Sequence, residues 1–166
     1  MGAVIGSYDF KVEYVSQKVG KWIEDIETLS NIAKDEPQAV YSSYVKAISR
    51  RWTYVQRTIP DIARQFEQLE KSIREKLIPA LVGRQVSDLE REIFALPVRL
   101  GGLGIENPVR TADYEFAAST TITNSLTDII YKQEKDFQNY DKVQVENTIK
   151  TVKQNKEKRL KLLGIN

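Results

Sequence analysis

Tyr41-Ser42-Ser43-Tyr44-Val45-Lys46-Ala47-Ile48-Ser49-Arg50-Arg51-Trp52-Thr53-Tyr54-Val55-Gln56-Arg57-Thr58-Ile59-Pro60 is the stretch that decides the fold. Its apolar residues Tyr41, Val45, Ile48, Trp52, Val55 and Ile59 recur in steps of three and four, which places them on one face of a helix. Pro60 closes the pattern, because the residue before a proline is pushed out of the helical region. The same periodicity stands on both sides. Upstream, Val12, Val15, Val19, Trp22, Ile26 and Leu29 form one face, with Lys11, Lys18, Lys21, Glu24 and Glu27 largely outside it. That segment stops near Asp35-Glu36-Pro37, where Pro37 suits the first turn of the next helix. Downstream come Ile62, Phe66, Leu69, Ile73, Leu77 and Leu81; Pro79 is expected to kink or end this helix, and Gly83 to stop it. Apolar faces on three segments joined by very short connections predict an all-α chain built on an antiparallel helical bundle.

Further elements extend the bundle. Ser87-Asp88-Leu89-Glu90 has the form of a capping box, so a short helix should start there and end at Pro97. Leu96 to Ile105 is too rich in glycine for a helix; Asn107-Pro108 then caps another, running to about Lys132. A last helix, from about Asp141 to Leu163, puts Val145, Ile149, Val152, Leu160 and Leu163 on one side. Lys150, Lys153, Lys156, Lys158, Arg159 and Lys161 crowd the rest of it. Strand character is confined to Val4 and Ile5, so at most a short N-terminal strand is expected. The expected organisation is a three-helix bundle over 1–83, a capping-box helix, turn and helix over 84–133, and a basic terminal helix over 134–166, all in one domain.

Composition narrows the function. In 166 residues there is no Cys and no His, so disulfides, thiolate catalysis, Cys-zinc sites and the commonest general base are all excluded. An active site would have to run on carboxylates, Lys, Tyr or Ser, and the expectation is a chain without catalysis, metal or cofactor. No apolar run reaches the eighteen or so residues of a membrane span. Met1 to Gly6 lacks the basic start of a signal peptide, and Gly6 stands where a myristoylation motif has Ser or Thr. An intracellular location, nuclear or cytoplasmic, is expected.

The net charge is only +2, so any case for a polyanionic partner rests on charge distribution. Between Pro37 and Pro60 stand Lys46, Arg50, Arg51 and Arg57, with no acidic residue. Lys46, Arg50, Thr53 and Arg57 share helical spacing, a stripe roughly opposite the apolar face. An unopposed row of cations repels itself, and phosphates would relieve that repulsion. Ser42, Ser43, Thr53 and Tyr54 add neutral donors suited to backbone contacts. The competing account is a solvated face partly neutralised by Glu67, Glu70 or Glu75 of the next helix. The basic terminal helix reads more simply as solubilising surface.

Other patterns carry less. Gly101-Gly102-Leu103-Gly104 lacks the Lys-Ser/Thr of a P-loop and the strand of a dinucleotide fingerprint. It reads as a turn in which glycines supply positive φ while Leu100, Leu103 and Ile105 plug the core. Glu24/Asp25, Asp88/Glu90 and Asp113/Glu115 diverge around their helices and suggest no metal site. Trp22 and Trp52 lie on the apolar faces and read as packing.

Leu96-Pro97-Val98-Arg99-Leu100-Gly101-Gly102-Leu103-Gly104-Ile105-Glu106-Asn107-Pro108 resembles a segment downstream of the polymerase core in retrotransposon-type (non-LTR-like) reverse transcriptases of animals. Arg51-Trp52-Thr53-Tyr54-Val55-Gln56-Arg57-Thr58-Ile59-Pro60 and Leu77-Ile78-Pro79-Ala80-Leu81-Val82-Gly83-Arg84 look like the same region. Gly2-Ala3-Val4-Ile5-Gly6-Ser7 resembles the strand that closes the palm, with Met1 where that family has Leu. The resemblance runs from Gly2 to about Lys132 and implies a thumb and the segment after it. The family's paired catalytic aspartates have no counterpart, since no Asp-Asp occurs in this sequence. It therefore implies a non-catalytic helical domain that grips an RNA or DNA duplex or hybrid through its backbone, and the charge pattern independently puts phosphate contacts without sequence preference at Lys46, Arg50, Arg51 and Arg57. The alternative is a helical interaction module derived from a retroelement, with a protein partner docking through the C-terminal helix; an exposed apolar strip along Val145–Leu163 would favour it.

Overall fold

Ser7 opens the first helix by accepting the Phe10 N–H, and α1 then runs over Tyr8–Ile32. The structure, a computed structural model, describes residues 4–132 and 139–163. The expected domain limits at 133/134 and the palm-like residues Gly2 and Ala3 lie outside those residues. The second helical rod spans residues 37–58 and comprises α2 (Pro37–Ser43), a π turn (Tyr44–Ile48) and α3 (Ser49–Thr58). Ile59 is extended, with φ −126° and ψ 121°, as a residue before proline should be. The third rod, residues 63–82, opens with a 3₁₀ turn and contains α4 (Glu67–Ser72), a second π turn (Ile73–Leu77) and α5 (Ile78–Val82). Its end is Gly83, left-handed at φ 74°. Then follow α6 (Asp88–Ala95), α7 (Pro108–Tyr131) and α8 (Asn139–Leu163). The fold is all-α, and no strand forms at Val4-Ile5.

The core faces follow the sequence periodicity except at the π turns. On α1, Val15, Val19, Trp22 and Ile26 are buried as expected. On the third rod Ile62, Phe66, Leu69, Ile73 and Leu77 are buried, while Leu81 is half-buried and Ile78 takes a core place. The second rod departs from expectation. Tyr41, Val45 and Ile48 are only half-buried, and the core takes Val40 and Tyr44 before the turn and Trp52 and Val55 after it. A π turn holds one residue more than an α turn, so the face read back from Trp52 shifts along the chain. Pro79 likewise does not end its rod. The wider turn before it lets the Ile78 N–H reach the Ile73 carbonyl, and the proline, which has no N–H, follows where the ladder has already changed register.

Three rods meet at an aromatic cluster. Trp22 contacts Trp52 edge-on with ring centroids 5.9 Å apart and stacks on Phe66 at 6.3 Å; Tyr44 meets Trp52 at 6.0 Å. Both tryptophans are buried, as their spacing predicts. Such pairs add about 0.5–1.5 kcal/mol each beyond the area they bury.

Buried polar groups attach the outer helices. The Arg91 guanidinium of α6 makes two 2.7 Å bonds to the Glu70 carboxylate of α4 and donates a third to the Ile105 carbonyl at 2.8 Å. Burial pushes the nearby Tyr44 hydroxyl well above the usual phenol range, with Arg91 pulling it partly back. The capping box at Ser87 forms as expected, and Arg84 with the Ser87 donors draws the Glu90 carboxyl down to about 2. Gln56 Nε2 of α3 donates to the Pro108 carbonyl at 2.8 Å and accepts from Thr111, fixing α7 across α3. On α7, in turn, Tyr114 Oη donates to the Val152 carbonyl of α8 at 3.1 Å.

The glycine turn is held by its own backbone. Leu103 and Ile105 N–H both bond to the Phe94 carbonyl, Gly104 N–H to Leu96 and Gly102 N–H to Pro97. Ile105 is fully buried and Leu103 packs on the core, but Leu100 is exposed and does not plug it. Gly102 is required for close approach rather than for positive φ: a Cβ there would lie 2.0 Å from the Leu96 oxygen and 2.5 Å from that of Ile93. Gly102→Ala should therefore lower stability by roughly 1–3 kcal/mol, visible as a lower Tm. Gly20 of α1 has nothing within 4 Å of its Cβ position, so Gly20→Ala should raise stability by about 0.4–1 kcal/mol. Equal effects of the two substitutions would contradict the crowding at Gly102.

Candidate nucleic-acid interface

The four cations of the second rod have different surroundings. Lys46 stands exposed on the π turn and Arg50 on the first turn of α3, and neither makes an ion pair among the described residues. Arg51 reaches across to Asp25 of α1, with Nη1 2.6 Å from the carboxylate and both side chains nearly half exposed. Arg57 lies at the seam with α7, where Nε donates to the Glu115 carboxylate at 2.8 Å. Glu115 itself is 5% exposed. The neutralising carboxylates are thus Asp25 and Glu115. Glu67, Glu70 and Glu75, suggested by the sequence, are not the partners, and Glu70 is bound to Arg91.

An aromatic cleft of about 520 Å³ opens beside this face, between α1 and α3. Lys18, Lys21, Arg51, Tyr14, Tyr54, Trp22 and Val55 line it, together with Glu24 and Asp25. Lys18 Nζ lies 5.5 Å from the centre of the Tyr14 ring. Tyr54 is 38% exposed and follows Arg50 by one helical turn, so the cleft borders the cationic face. Lys18 and Lys21, which the sequence placed only outside the apolar face of α1, line this cleft beside the cationic face. The signal was available in the spacing of Tyr14, Lys18, Lys21 and Asp25 along one side of α1, but nothing in the sequence pairs that side with α3.

Other candidates resolve into structure. Asp88 pairs with Arg74, and Glu92 with Arg110. Among the described residues no cluster of three or more carboxylates, His or Cys is placed to hold a metal ion. No helix among them is long and apolar enough to cross a membrane. The N–H groups of the glycine turn are spent on carbonyls of 93–98, which leaves the turn without the free donors of a phosphate cradle. Comparison with protein-family models, curated proteins and solved structures finds no match for this chain.

Arg57 differs from its neighbours in what its loss would do. Replacement by Gln removes the cation facing a buried carboxylate, which should cost roughly 1–3 kcal/mol of stability. Arg50→Gln, at an exposed position without an ion pair, should stay within about 0.5 kcal/mol of wild type. Thermal or urea unfolding of the two variants checks this; equal stability would place Arg57 with the solvated cations.

Proposed function

We propose that this chain is the non-catalytic, thumb-like helical part of a reverse transcriptase-like protein, and that it holds nucleic acid by its backbone phosphates. The observation that carries this reading is the exposed face of Lys46 and Arg50, on a rod without a carboxylate from Pro37 to Pro60. Charge left unopposed on a rigid helix costs self-repulsion, and a phosphate row offsets it. Arg51 and Arg57 flank this pair and contribute less, because Asp25 and Glu115 already offset their charge. Recognition through phosphates alone orients a duplex or hybrid and carries no sequence information. The absence of Cys, His and an Asp-Asp pair supports a role without chemistry. The resemblance to retrotransposon-type reverse transcriptases points the same way, since a thumb grips template and primer.

The rival, an interaction module using the terminal helix, wants an exposed apolar strip. Val145, Ile149 and Val152 are half-buried, and Ile149 and Val152 line a cleft against α7. The side chains of Leu160 and Leu163, and those of Lys156, Arg159 and Lys161, lie outside the described ones.

If Lys46 and Arg50 each neutralise one phosphate, log affinity for a DNA duplex should fall with log salt at a slope of about −1.8. Lys46→Gln or Arg50→Gln should flatten that slope by about one unit and weaken binding alike on unrelated sequences. Arg51→Gln should change it less. A fluorescence-anisotropy salt titration reads all three. No binding at low salt, or a slope altered only by Lys158→Gln on α8, would overturn the proposal.

A further inference from the structure

The cleft between α1 and α3 offers more than a phosphate contact needs. It has two exposed or half-exposed phenol rings, Tyr14 and Tyr54, on walls that also carry cations. Of its two carboxylates, Asp25 is taken up by Arg51. That leaves Lys18 and Lys21 against Glu24, an excess of one positive charge. Its volume of about 520 Å³ falls within the roughly 300–1,000 Å³ typical of small-ligand sites. One flat ring and one negative charge describe a single nucleotide unit within a strand. A base inside a duplex has both faces covered by its neighbours and cannot enter such a slot. An unpaired one can, and aromatic side chains hold unpaired bases by stacking without regard to sequence.

We infer that the α1–α3 cleft seats an unpaired nucleotide, the single-stranded continuation of a duplex lying along Lys46 and Arg50. The inference rests on the phosphate-binding reading and adds a substrate form, a duplex with a single-stranded extension. Tyr54 is the stacking platform, because it borders the cationic face on one side and the cleft on the other. Lys21, exposed on α1, faces the phosphate of the seated unit.

The experiment compares two fluorescein-labelled DNAs, a blunt duplex and the same duplex carrying a four-nucleotide single-stranded extension. The wild-type chain should bind the extended DNA roughly ten-fold more tightly. In Tyr54→Ala that ratio should fall close to one, and in Tyr54→Phe, which keeps the ring, it should persist. Lys21→Gln, a surface change that leaves the core untouched, should at least halve the ratio and serves if Tyr54→Ala fails to fold. A wild-type ratio near one, or a ratio unaltered in both Tyr54→Ala and Lys21→Gln, would overturn the cleft assignment while leaving phosphate binding standing. Failure of wild type to bind either DNA would overturn both.

Discussion

Trp22 is where three helical rods lock together. Its ring meets Trp52 from the second rod edge-on and lies flat on Phe66 from the third, at centroid distances of 5.9 and 6.3 Å. Large rings with such preferred geometries fix rotation as well as distance, so each rod is held with one face inward. Once Trp52 is inward, Arg50 and Arg51 must face out and Tyr54 must fall at the border with α1. The cationic face and the aromatic cleft are thus consequences of the same contact, with Trp22 closing the inner wall of the cleft.

Around that apolar centre the outer helices are attached by buried polar groups, whose burial costs desolvation that their hydrogen bonds offset. Arg91 spends its guanidinium on Glu70 and on the Ile105 carbonyl, tying α6, α4 and the glycine turn to one point. Buried Gln56, and the half-exposed Arg57 through the buried Glu115, join α3 to α7. Two arginines of α3 therefore have different surroundings. Arg57, itself half exposed, balances a buried carboxylate of α7, whereas Arg50, two helical turns earlier, is exposed and makes no ion pair among the described residues.

The fold was readable because its long rods obey the three-and-four periodicity, and Pro37, Pro60, Ser87, Asn107 and Gly83 all act where local stereochemistry puts them. What escaped was what depends on contacts between rods. Neither π turn has a sequence signature, so periodicity alone does not pick Tyr44 as core, and of the two outcomes it allows at Pro79, a kink or an end, the end does not occur there. Gly102 was legible as special, but its reason, two carbonyls from α6 and the residue after it, is tertiary. The cations of the second rod could be named from sequence, yet the sorting of Arg51 and Arg57 into ion pairs required the positions of Asp25 and Glu115.

Mapping the contact surface directly tests the central claim, that the exposed side of the second rod meets nucleic-acid phosphates. A ¹⁵N-labelled chain titrated with a short duplex of mixed sequence should show its largest amide shifts along Lys46 to Arg50 and on toward Tyr54. Shifts along α8 should be small. A set of shifts confined to α8 and the distal half of α7, or none at low salt, would contradict the account.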